Sequence, residues 1–284
     1  MIFSGLRLQR RIKYLAGGAW MFFILLWVLF PVYWILLASV KHSSDLVASE
    51  PLFWISNPTL EHYVHLWTES FIYFDKLTVN SLVIALSSTV ASVLVAVCSA
   101  MALARLRFPG RDAMGMAVFF AYLVPPTLLF IPMYVMMAEL NLQDTRLGLM
   151  LVYTSFSLPF SIWMLRSYFQ TIPRELEESA MIDGCNQLGA WIRIVLPLAA
   201  PGIVAAALFS FTLAWNEFLY AYILTETAKA ATMPVGLTAF IALDMYMWGE
   251  LSAGAVISAV PAVVLYLVGQ RFIVAGLTGG AVKG

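Results

Sequence analysis

Charged residues are scarce in this chain. Asp, Glu, Lys and Arg make up 11% of its 284 residues and 62% are hydrophobic, where an ordinary soluble domain is roughly a quarter charged and about half apolar. That excludes a water-soluble globule. There are only two cysteines and three histidines. Cys98 falls inside a long apolar run and Cys185 in a polar loop, so no disulfide framework is available. His62 and His65 with Glu61 and Glu69 have helical metal-ligand spacing, but no cysteine or further histidine completes a shell, and no metal site is expected. The five lysines, at 13, 41, 76, 229 and 283, are never followed by Ser or Thr, so the phosphate-binding sequence G-x-x-x-x-G-K-[ST] is absent. No cofactor is expected in the chain itself. Ionisable side chains are missing from the centres of the apolar runs. Proton- and sodium-coupled carriers, pumps and voltage sensors set such groups within the membrane, so ion coupling inside this chain is disfavoured. A membrane enzyme is poorly supported, because no Ser/His/Asp set, metal cluster or pair of mid-membrane carboxylates occurs.

What the chain has instead is long uncharged runs. Residues 16–40, 79–104, 113–138, 147–165, 194–216 and 251–270 contain no Asp, Glu, Lys or Arg, and a bilayer core calls for about 20 apolar residues per helical span. Backbone groups in lipid must bond internally, so runs of this length mean helices and exclude a β-barrel. The expected fold class is all-α and polytopic, with six transmembrane helices over about 16–40, 79–104, 113–138, 147–165, 197–222 and 251–270. Residues 1–15 form an N-terminal segment and 271–284 a C-terminal tail. The segment 230–243, with Pro234 and Gly236, is too short to span and reads as lying against the helices at the outer surface. With both termini cytoplasmic, twelve of the sixteen basic residues fall on the inner side and only Lys41, Lys76, Arg146 and Lys229 outside. The positive-inside rule selects that orientation. The first run is longer than a signal-peptide core and lacks a small-residue cleavage site, so it reads as a retained span.

The outer segment 41–78 carries Pro51, Trp54, Trp67 and Phe71-Ile72-Tyr73-Phe74, aromatics that anchor at a membrane surface. Span two repeats a small residue every fourth position, Ser88, Ser92, Ala96, Ala100 and Ala104, which admits a second helix closely; span six does so with Gly254, Ser258 and Ala262. Packing alone accounts for such stripes. Span three holds Pro125, Pro126 and Pro132, and span four holds Thr154, Ser155, Ser157 and Pro159. Broken helices and mid-depth polar atoms are tolerated where they line a cavity, although serine also bonds to its own helix. Glu217, in Trp215-Asn216-Glu217-Phe218, lies ~28 Å along a helix from Leu198, near the outer interface, where a solvated carboxylate competes with a substrate contact.

The loop 166–197 is the most informative segment. Pro173 suits a first helical position, and Glu175, Glu177 and Glu178 favour the positive end of a helix. Gly184 can adopt the left-handed conformation that ends it, and Asn186 can cap a second short helix containing Leu188, Trp191, Ile192 and Val195. The first helix is too short to be stable alone in water, so its apolar residues Leu176, Ala180 and Met181 need a covering surface. Its own bundle and a cytoplasmic partner serve equally well at this point.

Glu178-Ser179-Ala180, three residues, Gly184, nine residues, then Ile194-Val195-Leu196-Pro197 resembles the EAA loop, E-A-A-x3-G-x9-I-x-L-P, of the membrane subunits of ATP-binding-cassette importers. Ser179 replaces the middle alanine, a small-for-small change. Further resemblance to the carbohydrate-uptake branch, similar to the six-span permease of the maltose importer, lies in several segments. They are Asn80-Ser81, Ala104-Arg105-Leu106-Arg107-Phe108-Pro109-Gly110, Ile131-Pro132-Met133-Tyr134, Trp215-Asn216-Glu217-Phe218, Met233-Pro234-Val235-Gly236-Leu237 and Gly276 to Gly284.

The resemblance implies a type I importer with a second homologous permease, a dimeric ATPase that binds ATP and magnesium, and an extracytoplasmic solute-binding protein. The substrate is a sugar, the surroundings a lipid bilayer, and no nucleic acid is involved. Glu177, Glu178, Ser179, Ala180, Asp183 and Gly184 would form the coupling helix docked on the ATPase, and the glycine-rich tail would reach the same partner. Tyr153, Ser157, Trp215, Asn216 and Glu217 would line the substrate path. A permease for glycerol phosphate, an amino acid or a peptide is the alternative, followed by an ATP-independent carrier or channel.

Overall fold

The structure, a computed structural model, describes residues 2–48, 53–55, 57–68, 72–242 and 247–281, with backbone only for 2–12, 242 and 273–281. Pro51, Glu69, Phe71 and the last three residues of the tail, all singled out above, lie outside the described residues. Among the described residues there is no β-strand. In chain order the helices are α1 (Ile2–Ser39), α2 (Ser43–Leu46), α3 (Glu61–Thr68), α4 (Phe74–Arg105), α5 (Arg111–Leu123), α6 (Phe130–Glu139), α7 (Arg146–Thr171), α8 (Glu175–Ile182), α9 (Gln187–Ala190), α10 (Leu196–Leu198), α11 (Ala200–Asn216), α12 (Leu219–Leu224), α13 (Met233–Ala242) and α14 (Trp248–Ala281).

Four helical segments are long and apolar enough to cross a membrane: Lys13–Ser39, Phe74–Arg105, Arg146–Thr171 and Trp248–Phe272. Two bent pairs raise the total to six when each pair counts as one span. The third span, expected over 113–138 with Pro125, Pro126 and Pro132 inside it, is broken. α5 stops at Leu123, Val124 and Pro125 are extended, a 3₁₀ turn follows over Pro126–Leu129, and the two arms are bent by 87°. Proline lacks the amide donor and drives the residue before it out of the helical region, so two consecutive prolines end the helix there. The fifth span, expected over 197–222, is also divided. A 71° bend separates Gln187–Leu198 from α11, and Glu217 is extended before α12 begins. The helix of the last span, α14, runs on to Ala281, into the segment expected as the C-terminal tail.

The chain divides into two compact units, Met1–Ser70 with Phe240–Ser258, and Phe71–Ala239 with Ala259–Gly284. In the first unit, α1 exposes an aromatic ladder, Trp20, Phe23 and Trp27, with ring centroids 6.0 and 6.4 Å apart, a surface suited to lipid. Its C-terminal end is fastened by α3. His62, fully buried, donates from Nε2 to the Lys41 carbonyl at 2.8 Å, and the Tyr63 hydroxyl donates to Ser39 Oγ at 2.9 Å. His62 and His65 both turn Nδ1 to the Glu250 carboxylate, at 3.4 and 3.2 Å. No group of three or more metal-ligating side chains forms among the described residues.

In the second unit α4, α7 and α11 pack together. The small-residue stripe of α4 is buried along its whole length, as close helix approach requires. Ser92, Ser161 and Ser210, one from each helix, meet through hydroxyl contacts of 3.2 and 3.4 Å. Below them an apolar cluster joins Ala96, Ala100 and Leu103 to Leu165, Phe169 and Val195. A Cβ on Gly202 would lie 2.7 Å from the Tyr168 ring, so α11 can approach α7 this closely only with glycine there. The short helix α13, the segment too short to span, is held to α4, where Ser81 Oγ accepts from the Met233 amide at 2.8 Å.

Candidate coupling helix and substrate path

α8 begins two residues after Pro173, with Glu175, Glu177 and Glu178 in its first turn, where carboxylates meet the positive end of the helix dipole. It ends at Gly184, whose φ of +93° lies in the left-handed region. The Cys185 amide donates back to the Ala180 carbonyl at 3.0 Å and the Gly184 amide to Met181 at 3.1 Å, the paired bonds of a Schellman termination. Asn186 then caps α9, its Oδ1 accepting from the Gly189 amide at 2.7 Å. A π-helical turn over Trp191–Val195 continues the chain into α10.

The two faces of α8 differ. Glu177 and Ala180, three positions apart and therefore on one side of the helix, are buried. The Glu177 carboxylate sits 2.5 Å from Arg105 Nε as an ion contact off the hydrogen-bond axis, and accepts from Trp191 Nε1 at 3.0 Å. These two residues, expected on the docking surface, instead face the chain's own bundle. Glu178, Ser179, Asp183 and Gly184 are exposed as expected. So are Leu176, Met181 and above all Ile182, 86% exposed. Leu188 and Ile192 extend this apolar surface beyond the turn. Ile182, Arg105 and Trp191 were not among the expected site residues. An isoleucine inside the motif's unspecified x3 stretch was the available signal for the first.

The residues expected along the substrate path do not share one exposed face. Tyr153, Ser157 and Trp215 are shut into the interior, each 2% exposed or less. The Ser157 hydroxyl donates to the Tyr153 carbonyl one turn back at 3.0 Å, and Trp215 stacks on Phe211 with centroids 5.5 Å apart. Glu217 accepts from the Tyr220 and Ala221 amides at 3.0 and 3.1 Å, so its carboxylate serves the start of α12. Tyr220 in turn donates its hydroxyl to the Pro126 carbonyl at 2.6 Å, tying α12 to the broken third span. Asn216 alone of the five is exposed, one turn from exposed Thr212, whose carbonyl accepts from its amide at 2.9 Å.

Residues 92–275, which include α8, its termination, α7, α11 and the part of α4 from Ser92 onward, match the family described as binding-protein-dependent transport system inner membrane component. The chain belongs to that family. It is a multi-pass permease of the inner membrane. The inner membrane ABC transporter permease protein YcjP of Escherichia coli is 37% identical over 278 residues, 98% of each chain. The diacetylchitobiose uptake system permease protein DasC of Streptomyces coelicolor is 34% identical over 90% of this chain and 92% of its own. The fold is similar to that of a chain in the crystal structure of a bacterial ABC transporter involved in the import of alginate. There the TM-score is 0.77 at 23% identity, covering 92% of this chain and 96% of that one.

Proposed function

We propose that this chain is the permease subunit of an ATP-driven importer that carries a sugar, a mono- to oligosaccharide or related polyol, across the cytoplasmic membrane. The observation that carries the reading is α8. It is a short, firmly terminated helix that leaves Leu176 and Met181 about two-fifths exposed and Ile182 86% exposed among the described residues. A separate ATPase dimer, binding ATP and magnesium, would receive that face. The sugar class is supported by the resemblance of the flanking segments and by the relative named for diacetylchitobiose uptake. A second homologous permease would complete the central cavity, and an extracytoplasmic binding protein would deliver the solute. Both termini would lie in the cytoplasm, on the side of α8.

On this reading the chain performs no bond chemistry. ATP-driven closure of the ATPase displaces α8, and the displacement tilts the helices joined to it, opening the cavity outward to the binding protein. Asn216 and Thr212, on the exposed face of α11, offer an amide and a hydroxyl to a sugar. Tyr153, Ser157 and Trp215 are buried in α7 and α11 and would act on the path through packing rather than by contact. The test is reconstitution in proteoliposomes with the partner permease, the ATPase and the binding protein. Sugar uptake should require ATP and every partner. Uptake by this chain alone would establish the carrier or channel alternative instead.

A further inference from the structure

α4 and α7 both end at the same level as α8, and each helix end exposes carbonyl groups with no partner inside its own helix. The structure satisfies them reciprocally. Arg105, the last residue of α4, donates from Nη2 to the Ile172 carbonyl just past the end of α7, at 2.9 Å. Arg174, in the loop leaving α7, donates from Nη2 to the Ala104 carbonyl at the end of α4, at 3.1 Å. Each guanidinium therefore sits at the negative end of the other element's dipole. Arg105 makes a further contact, with Glu177 in the first turn of α8, and both side chains are withdrawn from solvent, 4% and 10% exposed. Trp191 closes the far side of that carboxylate.

We propose that Arg105 is a positioning residue that welds α8 to the ends of α4 and α7, so that a displacement of α8 is delivered to both helices together. The proposal rests on the importer reading for its purpose. Its geometry stands apart from that reading. Glu177 is the branch point, holding α8 to α4 through Arg105 and to the π-helical turn that follows α9 through Trp191. Without the pair, α8 would remain attached through the turns on either side of it and by its buried underside at Ala180. It could then yield under load without moving α4. A guanidinium suits this post because its planar fork reaches two acceptors in different directions, here a carboxylate and a carbonyl.

The experiment uses the full complex in lipid nanodiscs, with Cys98→Ala and Cys185→Ser in the background and spin labels at Glu175→Cys, exposed in the first turn of α8 and outside the coupling residues, and Leu94→Cys, exposed on α4. In the otherwise unaltered protein the distance between labels should be the same in the nucleotide-free and ATP-trapped states. In Glu177→Gln, and in the apolar pair Arg105→Met with Glu177→Leu, it should shift or broaden by more than about 2 Å, the scale of helix displacements in switching proteins. Sugar carried per ATP hydrolysed should fall in both, and Arg105→Lys should restore neither quantity fully.

A distance that already changes in the unaltered protein overturns the proposal, as do variants with unchanged distances. The apolar pair leaves no unpaired buried charge, so it decides the matter if Glu177→Gln does not assemble. Failure of the apolar pair to assemble would make the contact a folding determinant and also overturn the proposal. Failure of the unaltered complex to transport sugar would remove the importer reading, while the label distances in the permease still report on the weld.

Discussion

Ile182→Ala is the perturbation whose size follows most directly from the structure. Ile182 is 86% exposed in the isolated chain, so seating α8 in a partner's cleft would remove almost the whole side chain from water. The substitution deletes three carbons. At about 0.8 kcal/mol per buried carbon the docked state loses ~2.4 kcal/mol, roughly a 50-fold rise in the dissociation constant of the ATPase. The permease itself should change by no more than about 0.5 kcal/mol, because an exposed substitution away from any specific contact has little effect and alanine is the better helix former. The assay is titration of purified ATPase onto the permease pair in nanodiscs, with thermal melting of the permease in parallel. An affinity change below twofold with unchanged melting would refute the docking of α8. Weakened binding with a Tm lower by several degrees would assign Ile182 to the fold instead.

Phe169→Ala empties a fully buried site between α4 and α7, and should cost about 3–5 kcal/mol in stability, read as a lower melting temperature. Asn216→Leu should weaken sugar uptake while leaving complex assembly intact; normal uptake would remove Asn216 from the path. Asp144 supplies the pH dependence. Burial alone would raise its pKa, but the Thr227 hydroxyl, the Thr227 and Glu226 amides and Lys229 outweigh it and hold the carboxyl below the ordinary range. Its contribution is therefore complete above the unfolded value of about 3.9 and is lost as pH falls through the lower folded value. Asp144→Asn should melt earlier than the unaltered chain at pH 7, and the gap should close in acid below about pH 4. A gap that persists unchanged there would assign the loss to shape rather than charge.

Much of this arrangement is legible in the residues before any coordinates. Gly184 and Asn186 announce the end of one helix and the cap of the next because both act through local backbone geometry. Pro125 and Pro126 foretell the break in span three for the same reason. The facing of side chains is a different matter. α7 is apolar around its circumference, so periodicity gives no direction to Tyr153 or Ser157, and their burial is decided by packing against α4 and α11. Glu177 looks like its exposed neighbour Glu178 in the sequence. Its inward turn depends on Arg105, far away along the chain and otherwise readable only as one of the cytoplasmic basic residues. Glu217 likewise reads as an interfacial carboxylate, and only the helix break before α12 reveals the amides it accepts from.

The central claim is that ATP hydrolysis in a partner moves solute through this chain by way of α8. Gly184→Trp addresses it most directly, because residue 184 sits at +93° in φ, where a bulky side chain is strained, and on the exposed face offered to the ATPase. Hydrolysis and sugar uptake should be measured together in the reconstituted complex, with and without loaded binding protein. The account expects the binding-protein stimulation of hydrolysis and the uptake to be lost together. Survival of both at the unaltered level would contradict it.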